Sequence, residues 1–405
     1  MFTCVSLAIV GVFALLLLKS SGLLDNKKRL AVSVVMIAAA MLVRGALFYY
    51  RSDDYIDFLA KWVAFFRENG GFAALGRYPG NYNPPYMYLL ALFSYLDLSD
   101  LQLIKLFSVL FDVLLAWACM KTASLFTGRK PRLLACFFAV LFLPTAVINS
   151  AYWGQCDSIY VFFGVWSIYL ALSGKPAASM FAIAASLAFK LQAVFIMPVF
   201  FILLLAKKIK PRHLFIFPAA YLLYMLPSVI AGMPLLKALT MYVSQAQTVG
   251  SALNYNAPSL TSMMYGVTDA AAVSDMLIAA AFAFVAAVYV YAIFRRKIID
   301  GKAVLAFAVL LAIAVPYLLP HMHDRYFYPA ELLALTAVFV SPELLPMPVL
   351  TELASLHCYF AYFSRHYLVQ PRLGGIAVAI SLIIALIYAL ICCRGKKINN
   401  FEFSS

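Results

Sequence analysis

The sequence predicts an all-α polytopic membrane protein with about 13 transmembrane helices. Hydrophobic residues make up 65% of the 405 residues, charged residues make up only 12%, and the mean hydropathy is +0.92. A soluble domain typically contains about 45–50% apolar and about 25% charged residues. The alternating pattern of a transmembrane β-strand is absent, so we expect the spans to be helices.

The net charge of +14 fits the same class. Basic residues occur in short clusters between apolar runs, as the positive-inside rule predicts for cytoplasmic loops. We therefore expect a protein embedded in membrane lipid, with no nucleic-acid partner. The seven cysteines show no spacing typical of disulfides or zinc sites.

Two apolar runs, residues 5–19 and 30–50, begin the chain, and the basic residues between them mark the cytoplasmic side. The polar insert at residues 51–88 is therefore expected outside, as the first outer loop. Aromatic residues recur in it at helical spacing, which predicts an amphipathic juxtamembrane helix along the membrane surface. These aromatic residues are Tyr55, Phe58, Trp62, Phe65 and Phe66. Residues 86–96 are short for a crossing and predict a second surface helix.

The charge pattern along the rest of the chain predicts the remaining spans and one long outer loop, residues 232–270. We divide the chain into a catalytic module, residues 1–235, and a variable C-terminal module, residues 236–405. The further expected spans are residues 101–127, 132–150, 157–173, 177–189, 191–206, 213–231, 272–294, 303–319, 326–341, 346–363 and 373–393.

Four polar motifs interrupt the apolar runs, and this topology places all four on the outer side. They are SDDY with NYNPPY in the first outer loop, WGQCD from Trp153 to Asp157, FKLQ around Lys190, and HMHDRY around Arg325. A polar insert between spans is commonly where a membrane enzyme or transporter carries out its chemistry. We expect the motifs to form one outward-facing cavity, with Asp54 as its reactive carboxylate.

In their order along the chain, these residues resemble the glycosyltransferase-C superfamily, and more closely the bacterial membrane proteins related to the eukaryotic GPI mannosyltransferase II. The resemblance covers most of the chain. It implies a lipid-linked sugar donor, usually a polyprenyl phosphate sugar, inverting transfer, and a catalytic Asp or Glu in the first outer loop. Where the family pattern is H-E-R-Y, this chain has His323-Asp324-Arg325-Tyr326. The other matching features are S-x-D-Y-x-x-F-L-x-x-W from Ser52 to Trp62, Gly70-Gly71-Phe72, Tyr82-Asn83-Pro84-Pro85-Tyr86, Trp153-Gly154-Gln155 with Asp157, Lys190 with Gln192, and Asn256-Ala257-Pro258.

The resemblance gives Asp54 the role of general base. Attack of a hydroxyl on an anomeric carbon needs a carboxylate within hydrogen-bond reach of that hydroxyl. The alternatives are that Asp53 or Asp57 is the base instead, and that Asp54 caps the surface helix, since Ser52, Asp53 and Asp54 all suit an N-cap.

Lys190 and Arg325 are expected to hold the donor phosphate, with His321 and His323 beside them. Fixed cations in a poorly solvated pocket stabilise the growing charge of a leaving phosphate. The alternatives are that Arg325 is an interfacial anchor and that Lys190 snorkels to the headgroups. The two histidines with Asp324 could form a metal site, but no third ligand has a suitable spacing. We therefore expect no metal and no cofactor.

Asp157 is expected to contact the acceptor sugar, with Trp153 stacking on a pyranose face. The alternative is that Asp157 is the N-cap of the next span. The paired prolines before the second surface helix are expected to fix the path of the chain. The other residues expected to bind substrate or shape its pocket are Gln155, Gln192, Tyr82, Asn83 and Tyr86.

The predicted function is that of an inverting, metal-independent glycosyltransferase of a bacterial plasma membrane, with an extracytoplasmic active site. It would move a sugar, most simply a mannose-like hexose, from a polyprenyl phosphate carrier to a glycan or lipid-linked acceptor. A transporter or flippase of a lipid-linked sugar is the first alternative, and a non-catalytic assembly subunit is the second.

Overall fold

Helices dominate the computed structural model, which describes residues 2–247, 250–264 and 266–394. The described residues form 17 α-helices and one small parallel sheet of two strands, β1 Asn254–Tyr255 and β2 Met322–His323. The helices are α1 Phe2–Ser20, α2 Lys27–Leu47, α3 Ala60–Glu68, α4 Pro84–Phe93, α5 Asp100–Ser124, α6 Lys130–Leu141, α7 Pro144–Val147, α8 Asp157–Leu172, α9 Pro176–Phe189, α10 Val199–Leu205, α11 Ile216–Ile230, α12 Leu235–Gln247, α13 Ala270–Arg295, α14 Gly301–Leu318, α15 Tyr328–Val338, α16 Pro346–Ser364 and α17 Pro371–Cys392.

Seven helical stretches of the described chain are long and apolar enough to cross a membrane, and there are up to eight if α6 and the bent stretch after it form one span. The seven are α1, α2, α5, Pro211–Ile230 (which ends with α11), α13, α14 and α17. The predicted class, an all-α protein with several apolar spans, is confirmed, whereas the predicted count of about 13 is not. Helices α8, α9 and α15 have 16, 14 and 11 residues, fewer than the ~20 that a crossing needs.

The polar insert at residues 51–88 contains the expected amphipathic helix. A π-helical turn, Tyr55–Leu59, continues into α3, and Gly70 follows with a φ of +83°, which glycine adopts without strain. Trp62 and Phe66 are buried against the core, whereas Phe58 is exposed. Helix α4, expected as a second helix along the membrane surface, has ten residues, most of them buried, and it packs against α3, α9 and α11. Its two prolines occupy the first helical positions, where a missing N–H costs little.

A break before Pro144 divides the predicted span at residues 132–150. The axes on the two sides of the break differ by 48°. Proline disfavours the helical conformation at the preceding residue, and Leu143 accordingly has a ψ of 122°. Helix α7 continues as a second π-helical turn, Ile148–Trp153. We refer to Pro144–Trp153 as the bent segment. It brings the WGQCD motif to the other polar motifs.

The predicted outer loop at residues 232–270 contains regular structure. Helix α12 occupies its first part, and β1 pairs in parallel with β2. Tyr255 lies opposite His323 in this pairing, and Asn256 follows with a φ of +64°. The NYNAPSL and HMHDRY motifs are therefore joined through their backbones.

A buried ion pair connects α2 to α5. Arg44 donates to Asp112 Oδ2 from Nε at 3.0 Å and from Nη2 at 2.9 Å, and its Nη2 also donates to the Leu141 carbonyl at 2.8 Å. Ser150 of the bent segment and Ser158 of α8 donate to the same carboxylate. The four polar side chains are buried, so this network fixes the bent segment against three helices.

Candidate active site

Asp54 lies at the start of the π-helical turn in the first outer loop, with 27% of its side chain exposed. Its Oδ2 accepts hydrogen bonds from Trp153 Nε1, at 2.9 Å, and from Gln155 Nε2. Its Oδ1 receives one long contact, 3.4 Å from the Tyr362 hydroxyl. The carboxylate is therefore oriented through one oxygen, and the other oxygen is nearly free.

Helix capping, the alternative role of Asp54, is carried out by Ser52. The Ser52 hydroxyl accepts from the Tyr55 amide at 3.3 Å and donates to the Trp153 carbonyl at 2.8 Å. Asp54 makes no capping hydrogen bond. Its carboxylate thus faces the polar cluster rather than its own helix.

The guanidinium of Arg325 lies among three carboxylates, each beyond hydrogen-bond distance. Nη2 is 3.8 Å from Asp54 Oδ2, Nη1 is 3.9 Å from Asp157 Oδ2, and Nε is 3.6 Å from Asp324 Oδ1. Its Cζ lies 4.6 Å from the ring centroid of Trp153. Within the described chain, the buried Nε and Nη1 have no hydrogen-bond partner. Because only 15% of the side chain is exposed, Arg325 is not an interfacial anchor. Because two of its nitrogens have no hydrogen-bond partner among the described residues, its guanidinium is suited to an anion.

Lys190 follows the last residue of α9 in an extended conformation and pairs with Asp157. Asn149 Nδ2 donates to the other oxygen of Asp157 at 2.8 Å. Asp157 is the first residue of α8, and the N-cap position is taken by Cys156. The side chain of Asp157 is only 2% exposed. Its predicted contact with an acceptor sugar is therefore corrected to a contact with Lys190. The lysine is itself buried, so it does not snorkel.

Trp153 is enclosed on all sides, which corrects its predicted stacking on a sugar. The Tyr362 ring stacks on it at 4.3 Å, Arg325 lies over it, and 1% of Trp153 is exposed. Gln155 is buried as well. These two residues orient Asp54 and have no surface for substrate.

The two predicted phosphate-binding histidines lie in different surroundings. His321 Nδ1 is 2.7 Å from the Ala252 carbonyl and Nε2 is 3.0 Å from Ser274 Oγ, so neither ring nitrogen is available to a phosphate. His323 stacks on Tyr255 at 4.8 Å. Burial, then the charges of Arg325 and Lys190, lower the pKa of His323 to about 4. At neutral pH, His323 would offer a hydrogen bond to an anion but no charge.

Asp324 is the residue at which the family pattern has Glu. Its Oδ2 accepts from Asn256 Nδ2 at 3.2 Å. Burial raises the pKa of Asp324 to about 6, although Arg325 and the Asn256 hydrogen bond oppose that effect. Asp324 therefore takes up a proton in mildly acidic solution.

The remaining predicted residues lie on the buried side of the cluster. Burial raises the pKa of Tyr82 to about 12, partly offset by the nearby charge of Lys190. Tyr86 is almost completely buried. Asn83 Oδ1 and Gln192 Oε1 are buried and have no hydrogen-bond partner in the described part of the chain. Tyr82 is thus near the cluster, whereas direct contact of Tyr86 with a substrate is not supported.

Two residues that hold the site were not predicted. Tyr362 contacts both Asp54 and Trp153, and it lies in the aromatic run Tyr359–Phe363 at the end of α16. Asn149 orients Asp157 from within an apolar run. An isolated asparagine in such a run was the available signal, since a buried amide needs partners.

An apolar groove of about 660 Å³ lies between the bent segment and α16, next to the site. Phe363 and Tyr359 line it and also contact the Trp153 ring, at centroid distances of 4.9 and 5.2 Å. The imidazole Nε2 of His357, another lining residue, is buried and unpartnered among the residues that the structure describes. The groove residues are Leu47, Ile148, Tyr152, Leu353, Leu356, His357, Tyr359, Phe360, Phe363, Leu368 and Val369.

No group of three or more His, Cys, Asp or Glu side chains in the described ranges is arranged to hold a metal ion. No protein-family model and no curated protein matches this sequence. Membership of the glycosyltransferase-C superfamily therefore stays a prediction that rests on the resemblance of the motifs.

Proposed function

We propose that this protein is an inverting membrane glycosyltransferase that uses a polyprenyl phosphate sugar. The observation that carries the proposal is the position of Asp54 beside Arg325. A carboxylate with one nearly free oxygen stands 3.8 Å from a guanidinium whose buried Nε and Nη1 lack partners. A base and an anion site at this separation suit attack by a hydroxyl on a carbon that bears a phosphate.

Asp54 Oδ1 acts as the general base in this mechanism. The acceptor oxygen bonds to the anomeric carbon while the bond from that carbon to the phosphate oxygen breaks. The electron pair of the broken bond stays on the phosphate, and the acceptor proton passes to Oδ1. Trp153 and Gln155 hold Oδ2, so the base is already oriented when the acceptor arrives.

Arg325 stabilises the departing phosphate through the positive charge of its guanidinium. The guanidinium is fixed over Trp153 and is poorly solvated, and a charge in such a setting acts more strongly than one in water. Lys190 adds a second buried cation, whose charge is largely offset by Asp157. Arg325 is therefore the main contact of the phosphate, with Lys190 as support.

The apolar groove beside Trp153 supports a lipid-linked donor. A polyprenyl chain needs an apolar surface that reaches the reacting phosphate, and Tyr359 and Phe363 belong to both the groove and the site. Most basic clusters are expected on the cytoplasmic side, and this expectation favours a bacterial plasma membrane protein with the site on the extracytoplasmic side. The acceptor is then a glycan or a lipid-linked saccharide outside the cell.

Purified protein in lipid nanodiscs, incubated with a panel of polyprenyl phosphate sugars, tests the proposal. We expect Asp54→Asn to lower the rate of sugar transfer or donor hydrolysis by about 10²–10⁴-fold, the usual contribution of a general base. Asp57→Asn is the matched control, because Asp57 is exposed and faces Lys61 at 3.8 Å. Equal rates for Asp54→Asn and wild type would exclude Asp54 as the base.

The same preparation in vesicles distinguishes the transporter alternative. A flippase moves the lipid-linked sugar between leaflets without forming a glycosidic bond, and Asp54→Asn would leave much of that movement intact. Lipid movement without product by the wild type would replace the proposed activity.

A further inference from the structure

Two glutamates of neighbouring helices meet at the first turn of the bent segment. Glu331 belongs to α15 and Glu352 to α16, and 1% and 8% of these residues are exposed. Thr145 lies between them, with its Oγ1 2.7 Å from Glu331 Oε2 and 2.8 Å from Glu352 Oε2. No basic side chain within the described ranges forms an ion pair with either glutamate.

This arrangement requires a proton on one carboxyl group. A threonine hydroxyl has a single hydrogen, so it donates to one glutamate oxygen only. If both glutamates were ionised, the glutamate oxygen that receives no hydrogen from Thr145 would face a lone pair of the threonine hydroxyl at hydrogen-bond distance. Two buried negative charges without a cation would also be strongly unfavourable. The other titratable groups around the pair are Tyr328, Tyr359 and Cys358, and none of these carries positive charge.

The hydrogen bonds identify which glutamate is protonated. Glu352 accepts twice from Thr145, at Oε1 from the amide N–H at 2.8 Å and at Oε2 from the hydroxyl. Two donors on one carboxylate favour its ionised form. In contrast, Glu331 Oε1 is buried and accepts no hydrogen bond within 3.5 Å among the described residues, and the nearest polar groups to this glutamate besides Thr145 are the Ser355 hydroxyl and the Glu352 carboxyl. A bare oxygen is far less costly on a neutral acid than on a carboxylate.

We propose that Glu331 keeps its proton at neutral pH and donates it to Thr145, whose hydroxyl in turn donates to ionised Glu352. This relay fixes the start of the bent segment against α15 and α16. The segment ends at Trp153, which holds Asp54, and α16 carries Tyr362, which contacts both. Glu331, Thr145 and Glu352 are thus positioning residues for Asp54. This positioning role rests on the proposed function, whereas the location of the proton does not.

Infrared difference spectroscopy of the purified protein locates the proton without an activity assay. In the spectrum of wild type minus Glu331→Gln, we expect the carbonyl band of a protonated carboxylic acid. In the spectrum of wild type minus Glu352→Gln, we expect the carboxylate bands instead. The reverse assignment, or carboxylate bands in both spectra, would overturn the relay.

Variants of Thr145 test the positioning role. Thr145→Val keeps the shape but removes the hydroxyl, and we expect kcat to fall at least about tenfold with an almost unchanged donor KM, because the base is displaced. Thr145→Ser should restore kcat, and Glu331→Gln should keep most of it, since its amide N–H replaces the donated proton. Thr145→Val with the wild-type kcat would contradict the positioning role. If the wild type transfers no sugar at all, the proposed function fails while the infrared assignment can still hold.

Discussion

At the scale of single residues, the charge balance around Arg325 governs how the site would bind an anion. Arg325 and Lys190 face three carboxyl groups, Asp54, Asp157 and Asp324. If all three were ionised, negative charge would exceed positive charge and oppose a phosphate. Burial raises the pKa of Asp324 to about 6, so this carboxyl group can lose its charge in mildly acidic solution.

We therefore expect donor binding near pH 7 to take up a proton, because the phosphate charge raises the pKa of Asp324 further. Donor affinity should rise as the pH falls through about 6, where free Asp324 becomes neutral. Calorimetric titrations of the donor in buffers of different ionisation enthalpy measure the uptake. Asp324→Asn should abolish it, and Asp97→Asn, at an exposed position, should not. The absence of uptake in the wild type would remove Asp324 from the anion site.

The raised pKa of Asp324 also makes the stability of the folded protein depend on pH. Between its ordinary value of 3.8 and about 6, the folded chain binds more protons than the unfolded chain. The contribution of this residue to stability is therefore greatest at low pH and decreases as the pH rises across that window.

The sequence could identify Asp54, Lys190 and Arg325 as candidates because charged residues beside apolar runs are expensive and therefore uncommon. It could not assign their partners. Asp54 accepts from the indole of Trp153, and Ser52, which caps the surface helix, donates to the carbonyl of the same residue. Trp153 is about a hundred residues away along the chain, so the sequence does not reveal either partnership.

At the scale of elements, the bent segment is held at its start and in its second half by buried polar groups. Thr145 binds the two glutamates at its start, and Ser150 binds Asp112 further along. Its position depends on side chains from α5, α15 and α16. The sequence predicted a single span here, because a proline signals a helix start or a kink equally well.

The Arg44–Asp112 pair gives a stability prediction. Asp112→Asn leaves the Arg44 guanidinium buried and without its counter-charge, which we expect to cost about 3–5 kcal/mol. Asp25→Asn removes the exposed partner of Arg29 and Lys130 and should cost about 0–1 kcal/mol. Thermal unfolding of both variants in detergent measures the difference. Equal melting temperatures would show that the buried network does not hold the helices together.

This network was beyond sequence reasoning. Arg44 lies near the end of a predicted span that forms an apolar helix long enough to cross a membrane, and its partner lies 68 positions later in another such helix. Helical periodicity describes each helix separately, and it does not say which two helices become neighbours.

At the scale of the whole molecule, apolar character has two different causes. In α17, 33% of the most apolar window is buried within the protein, whereas in α14 the value is 83%. Helix α17 is apolar on exposed surfaces that suit lipid, whereas α14 is apolar because protein surrounds it. Hydropathy does not distinguish these environments, so an apolar run alone does not show whether its helix faces lipid or protein.

Cysteine labelling tests the predicted sidedness. In a Cys4→Ser background, we expect Asp57→Cys to react with a membrane-impermeant maleimide on intact cells. Arg129→Cys should react only after permeabilisation, because its basic cluster is expected in the cytoplasm. Both positions are exposed, so reactivity reports the side of the membrane. Labelling of Arg129→Cys on intact cells would invert the topology and place the site inside.

Both backbone stretches that meet at Asp54 contain a π-helical turn, Tyr55–Leu59 on one side and Ile148–Trp153 on the other. Such turns contain one residue more than a regular helix and are frequent at functional sites. Deleting one residue from the second turn would rotate the residues after the deletion by about 100°, a single step of an α-helix. The indole would then point away from the carboxylate although every side chain of the site were retained. The number of residues in each π-helical turn therefore determines this site as much as the identity of its amino acids does. The same residues placed on regular α-helices would not reproduce it.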